Sequence, residues 1–222
     1  MVISVPNSLN ELLTRANYLS GYSISTVADA FNLSVPADLK RHKGWIGNFI
    51  EHVLGADAGS KAIQDFTELK IELKTIPVND KYFPLETTFV SLAPLTGNVG
   101  VTWDTSHVRN KLQRVLWMPI QGNRDIPIKD RLIGKPILWE PSLQESITLK
   151  KDWEELTELI TLGQFDKINA AIGEVLQLRP KGANRKSRTH AYDSSGKLIN
   201  TLPLGFYLRT GFTGNILQKN KM

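Results

Sequence analysis

Asp65, Glu72 and Lys74 put two carboxylates and an amine into one short stretch, spaced Asp65-x6-Glu72-Leu73-Lys74. The segment from Leu69 to Val78 alternates as a strand, so Ile71, Leu73 and Thr75 face one way and Glu72 and Lys74 the other. A fully extended chain would hold the Asp65 and Glu72 Cα atoms roughly 23 Å apart, too far to share a cation. Residues 66 to 68 must therefore turn. Once they do, two carboxylates a few ångströms apart call for a hard divalent ion to offset their repulsion. Mg²⁺ fits, because it takes one or two carboxylates, keeps several waters and accepts a phosphate oxygen. The chemistry that follows is phosphodiester hydrolysis by a metal-bound water. Lys74 would orient or deprotonate that water, or pair with the scissile phosphate. Glu51, on the preceding helical stretch, is a candidate second carboxylate arm. A lone E-x-K pair is also what a solvated strand face with a cross-strand charge pair looks like, so its surroundings have to decide.

Other chemistries drop out quickly. The chain has no cysteine, which excludes disulfides, thiolate nucleophiles and cysteine-ligated metals and points to a reducing compartment. Gly55-x3-Gly59-Ser60-Lys61 lacks phosphate-loop spacing and follows a helix, so it reads as a turn. His42, His52, His107 and His190 are scattered without ligand spacing, and His52 falls on an apolar helical stripe that assigns it to the core. Neither a serine triad elbow nor a dinucleotide fingerprint is present. The start, Met1-Val-Ile-Ser-Val-Pro6, has no leader pattern, and no stretch reaches the roughly 18 apolar residues of a membrane span. The expectation is a soluble cytoplasmic protein with no membrane contact.

The elements that must position these residues read as mixed helix and strand. Ser8-Leu-Asn-Glu11 opens a first helix as a capping box, a second starts near Ser25, and residues 44 to 54 form a third with Trp45, Phe49, His52 and Val53 on one stripe. Glu86 to Ala93 is the next strand, Ser106 to Leu112 a helix, Arg114 to Ile120 a buried strand, and Leu143 to Leu162 a long helix ended by Gly163. Short strands near Val175–Leu178 and Phe206–Leu208 bracket a basic loop from Pro180 to Ser187. This order predicts an α/β layer fold, a mixed sheet flanked by helices. At 222 residues the chain is expected to form a single domain, 1–222, with two lobes.

Net charge is +5, but its distribution is uneven. Residues 174–222 hold nine Lys or Arg against Glu174 and Asp193, a net +7, and everything before sums to −2. A basic end on a near-neutral body suits contact with a phosphate backbone, and equally a solvated surface.

Several stretches carry a resemblance. They include Lys43-Gly44-Trp45-Ile46-Gly47, Gln64-Asp65-Phe66, Ile71-Glu72-Leu73-Lys74-Thr75-Ile76-Pro77 and Pro84-Leu85-Glu86-Thr87-Thr88-Phe89-Val90. They continue through Ala93-Pro94-Leu95-Thr96-Gly97-Asn98, Thr105-Ser106-His107-Val108-Arg109, Arg114-Val115-Leu116-Trp117, Leu178-Arg179-Pro180-Lys181 and Pro203-x-Gly205-Phe206-Tyr207-Leu208. In these the chain resembles, over nearly its full length, the MutH family of methyl-directed DNA mismatch repair endonucleases, within the PD-(D/E)xK restriction endonuclease-like superfamily. The superfamily's Pro before the first Asp is Gln64 here. The resemblance implies a restriction endonuclease-like α/β core with two arms forming a DNA-binding cleft, in a monomer with one active site. It implies nicking of the unmethylated strand at hemimethylated GATC sites, with Mg²⁺ in one or two ions, Mn²⁺ substituting, when MutS and MutL switch the enzyme on.

By the same resemblance Asp65, Glu72 and Lys74 are catalytic, with Glu51 and Lys111 added near the metal and the phosphate. Asp65, Glu72, Leu73 and Glu51 would hold the metal. Lys43, Arg179, Pro180, Lys181 and Tyr207 would contact DNA, Tyr207 beside the target adenine. Arg and Lys are the usual partners of guanine O6 and N7, and methylation of adenine N6 removes a donor hydrogen and adds bulk that a tight site rejects. Read without the resemblance, Tyr207 is equally a core aromatic on a short strand. Two other classes remain: a GATC-cutting type II restriction enzyme, which with one catalytic set would need a dimer, and a non-catalytic DNA-binding module.

Overall fold

Serine starts four of the helices. In the computed structural model, the hydroxyls of Ser8, Ser23, Ser106 and Ser142 accept from the N–H groups of Glu11, Thr26, Arg109 and Glu145, each satisfying a first-turn donor that has no partner within the helix. The structure describes residues 3–39, 42, 44–59, 61–169, 171–182 and 186–219. In chain order its elements begin with helices α1 (Leu9–Leu19), α2 (Ile24–Ala30) and α3 (Trp45–Leu54). Strands β1 (Glu72–Val78) and β2 (Thr88–Ala93), helix α4 (His107–Leu112), strands β3 (Val115–Gln121) and β4 (Ile137–Trp139) and helix α5 (Leu143–Thr161) follow. Strands β5 (Leu176–Pro180), β6 (Thr189–Tyr192), β7 (Leu198–Thr201) and β8 (Leu204–Leu208) and helix α6 (Thr210–Lys219) complete it.

The chain divides into two compact units, each made of separate segments. The first comprises residues 1–86, 114–140 and 214–222, the second residues 87–113 and 141–213. The fold is thus mixed α/β, but among the described residues the strands form three small sheets rather than the single mixed sheet expected.

In the first unit, β1 runs parallel to β3 and β3 antiparallel to β4. The central strand is β3, buried from Val115 through Ile120, which is why it reads as a continuous apolar run. Its core is one cluster that includes Leu12 and Ala16 of α1, Phe49, Ile50, Val53 and Leu54 of α3, Phe66, Ile71, Leu73, Leu116 and Met118. Here His52 departs from the expected stripe. It is exposed, and the buried face of α3 is Phe49, Ile50, Val53 and Leu54, with Trp45 half-buried and stacked on Phe49 at 4.9 Å. The capping box at α1 is also half-formed. Glu11 accepts from the N–H of Asn7 rather than Ser8, and Arg15 donates to the same carboxylate at 2.5 Å.

The second unit carries the antiparallel sheet β2–β8–β5 and a separate β6–β7 hairpin. Asp152 of α5, buried, accepts from the N–H groups of Glu174, Val175 and Leu176 at 2.9, 2.7 and 2.8 Å, and so ties the long helix to the start of β5. Trp103 packs on Trp153 at 5.9 Å. Among the described residues no helix is long and apolar enough to cross a membrane.

Candidate active site and nucleic-acid face

The required turn is present. Phe66 and Ile71 exchange two backbone hydrogen bonds, at 3.0 and 3.2 Å, around a turn that Lys70 closes with a φ of 53°. Those residues are thereby taken up by the turn, so β1 starts at Glu72 rather than Leu69. Phe66 anchors the turn in the core. Asp57 pins it from outside, its carboxylate accepting from the Thr67 N–H at 2.9 Å and the Thr67 hydroxyl at 2.5 Å. Burial pushes the Asp57 carboxyl up, but the two Thr67 donors, its own backbone N–H and the Lys61 charge together hold the group below its ordinary value.

The turn delivers Asp65 to β1, where its Oδ2 accepts the Leu73 N–H at 2.7 Å. Glu72 donates its N–H to Arg114, toward β3, so alternation along a parallel strand directs the N–H and C=O of Leu73 to the opposite edge, the edge that Asp65 occupies. The Leu73 side chain is buried in the core.

Glu72 is 2% exposed at its side chain and Lys74 18%, and Lys74 Nζ donates to Glu72 Oε1 at 2.5 Å. This separates the pair from a solvated strand face. A carboxylate withdrawn from water this far is costly unless a cation or metal compensates it. In the β1–β3 register Lys74 stands opposite Trp117 and Glu72 opposite Val115, so the charged pair has an apolar floor on the neighbouring strand.

Glu51 is on α3, half-buried. A methyl group at Gly47 would lie 3.7 Å from Thr75 Oγ1 and 3.9 Å from Glu51 Oε1, so Gly47 leaves open the space that both side chains border. Thr75 alternates with Lys74, and among the described residues no group of three or more His, Cys, Asp or Glu converges as a cage. The structure brings Asp65 onto Leu73 and pairs Glu72 with Lys74 along β1, while Glu51 borders Gly47 on α3. Lys111 lies half-buried on α4, in the second unit. Lys43 lies outside the described residues.

The basic residues named at the chain's end stand on the second unit's antiparallel sheet. Arg179, Pro180 and Lys181 are exposed at the end of β5, and Tyr207 on β8 is half-buried, not a core aromatic. Arg179 lies 5.8 Å from the Tyr207 ring centroid, Tyr207 meets Phe89 edge-on at 5.4 Å, and the Lys181 ammonium sits 4.2 Å from the Phe89 centroid. Two cations thus alternate with two aromatic rings, each ring face attracting its cation. Thr87 and Phe89 belong to this array and sequence reasoning missed them as site residues. The aromatic at Phe89 on β2, two residues after Thr87, was the available signal.

This geometry can be set beside known proteins. The family model described as DNA mismatch repair enzyme MutH matches residues 54–152. The chain is 60% identical over 212 residues to the DNA mismatch repair protein MutH of Actinobacillus pleuropneumoniae serotype 5b (strain L20), covering 96% of this chain and 94% of that protein. It is 58% identical over 214 residues to those of Pasteurella multocida (strain Pm70) and Vibrio vulnificus (strain YJ016), covering 96% of this chain and 96% and 94% of theirs.

Proposed function

From the premise that this chain belongs to the MutH family of DNA mismatch repair endonucleases, we propose that it nicks the unmethylated strand of hemimethylated GATC sites by Mg²⁺-dependent hydrolysis. The observation that carries the reading is the buried Glu72–Lys74 pair with Asp65 turned back onto the same strand. The donor set suits the ion, since the Asp65 and Glu72 carboxylates and the Leu73 carbonyl are hard oxygen ligands. When bound, one or two Mg²⁺ ions would polarise the scissile phosphate and lower the pKa of an attacking water, and Mn²⁺ is expected to substitute.

The chain's own residues do the rest. The Leu73 N–H fixes the orientation of the Asp65 carboxylate. Lys74 offsets the buried charge of Glu72 and presents its ammonium where a scissile phosphate or its attacking water is to be oriented. Glu51 and Lys111 are assigned supporting roles near the ion and the phosphate. The first unit, on this reading, is the restriction endonuclease-like catalytic core. The second supplies Arg179, Pro180 and Lys181 for the base edges in the major groove and Tyr207 for the target adenine. Lys43 is a further expected DNA contact. The enzyme acts as a cytoplasmic monomer on double-stranded DNA, switched on by MutL and indirectly by MutS.

The test incubates the protein and MutL with hemimethylated and fully methylated GATC duplexes in Mg²⁺. Nicks confined to the unmethylated strand of the hemimethylated duplex are expected, and equal cutting of both duplexes sinks methyl direction. Concerted double-strand breaks by a dimer on DNA point instead to a restriction enzyme. Absence of any nick with Mg²⁺ or Mn²⁺ leaves a binding module.

A further inference from the structure

Arg179 is exposed, yet it is held at two places. Its Nη1 donates to Thr87 Oγ1 at 2.9 Å, and its guanidinium lies 5.8 Å from the Tyr207 ring centroid. A planar fork reads a base edge only when its plane and its position are both right, and one ring contact leaves the plane free to rotate. The Thr87 hydroxyl removes that freedom.

The backbone explains how Thr87 comes to be there. Phe89 pairs with Tyr207 and Ser91 with Phe206, so one residue, Val90, is extra on β2. Such a bulge reverses which face successive side chains take. Before it, Phe89 shares the face of Tyr207, and Thr87, two residues earlier, follows it onto that face. After it, Ser91 falls in line with buried Phe206. Directly across from Arg179 in the register is Gly205, where a side chain would meet Phe89 Cε2 at 2.8 Å and Lys181 Cβ at 3.2 Å. The missing side chain at Gly205 is what lets the β5 and β2 groups meet over β8. The Lys181 N–H also donates to the Pro203 carbonyl at 2.7 Å, fixing the backbone just beyond Arg179.

We propose that Thr87 is a positioning residue for base recognition, its hydroxyl holding Arg179 in the plane and register in which that guanidinium reads a base edge. Thr87 acts through Arg179 and governs which sequence is cut rather than the hydrolysis itself. The inference rests on the reading of Arg179 as a base-contacting residue.

The experiment compares Thr87→Val, Thr87→Ser, Arg179→Ala and the Thr87→Val/Arg179→Ala double variant of the full chain with MutL. Each is measured for kcat and KM on a hemimethylated GATC duplex and on duplexes with one base pair of the site changed. Thr87→Val is expected to lower the ratio of cognate to changed-site kcat/KM about fivefold, with the loss carried by KM, as befits one hydrogen bond. Thr87→Ser keeps the ratio, and Thr87→Val adds nothing once Arg179 is gone. An unchanged ratio in Thr87→Val overturns the proposal, as does an effect that persists undiminished without Arg179. If Arg179→Ala itself retains full discrimination, the failure lies with Arg179 as a reader, and the Thr87 proposal goes with it. Thermal unfolding accompanies each variant. Where Thr87→Val unfolds early, Thr87→Ala gives the same comparison without requiring room for a branched side chain.

Discussion

In the first unit the ionic groups sit against an apolar core, whereas in the second they stand out from a sheet with aromatic rings between them. Glu72 is withdrawn from water to 2% exposure and answered by Lys74 at 2.5 Å. Arg179 and Lys181 remain exposed, and their partners are a hydroxyl and two ring faces. On the proposed function the contrast matches two tasks. Groups that hold an ion or orient a reacting water act most strongly where the local dielectric is low. Groups that read DNA must meet an incoming surface, so they gain from being held in place but not from being buried. The first kind of site is paid for in folding stability, the second in exposed charge.

The sharpest way to break this contrast is at Asp65. Asp65→Asn keeps an oxygen for the Leu73 N–H but loses the carboxylate, so cleavage should fall by about a thousandfold or more while DNA binding survives, measured by nicking and by gel shift. Near-normal cleavage would remove Asp65 from the chemistry. The next effect is on stability. Lys74→Ala leaves Glu72 without the cation that answers it and should cost roughly 3 kcal/mol, read from denaturant unfolding, whereas Glu72→Gln with Lys74→Met should recover most of that. If the single and double variants unfold alike, the pair is not buried in the sense described. The smallest effect belongs to the second unit. Gly205→Ala forces the Phe89 ring aside and should cost about 1 kcal/mol, and Phe89→Leu in the same chain should relieve part of it. A Gly205→Ala variant as stable as the parent would mean that the aromatic array tolerates rearrangement.

Much of β1 and its turn was legible. The alternation of Ile71 through Thr75 assigned Glu72 and Lys74 to one face, and chain length alone required the turn that brings Asp65 back, because both are local constraints. The long helix, read from Leu143 to the Gly163 that ends it, and the buried strand, read over Arg114–Ile120 from its unbroken apolar run, were legible for the same reason. What failed was decided at a distance. His52 fits an apolar stripe by spacing, yet the packing of α3 on the core leaves it in water. The strands β4, β6 and β7 are three or four residues long, too short to show a period, and exist because a neighbouring strand pairs them.

By itself the sequence determined which groups have the chemistry to hold an ion and orient a phosphate, the turn they need, and that positive charge gathers toward the chain's end. The tertiary structure alone decided that Glu72 is buried rather than solvated, that Arg179 is held by Thr87 and Tyr207, and that Phe89 bridges to Lys181. The division has a physical cause. Periodicity and turn chemistry act over a few residues, but burial and partnership depend on segments as far apart as Thr87 and Arg179 meeting in one sheet, and a bulge of one residue settles which of them do.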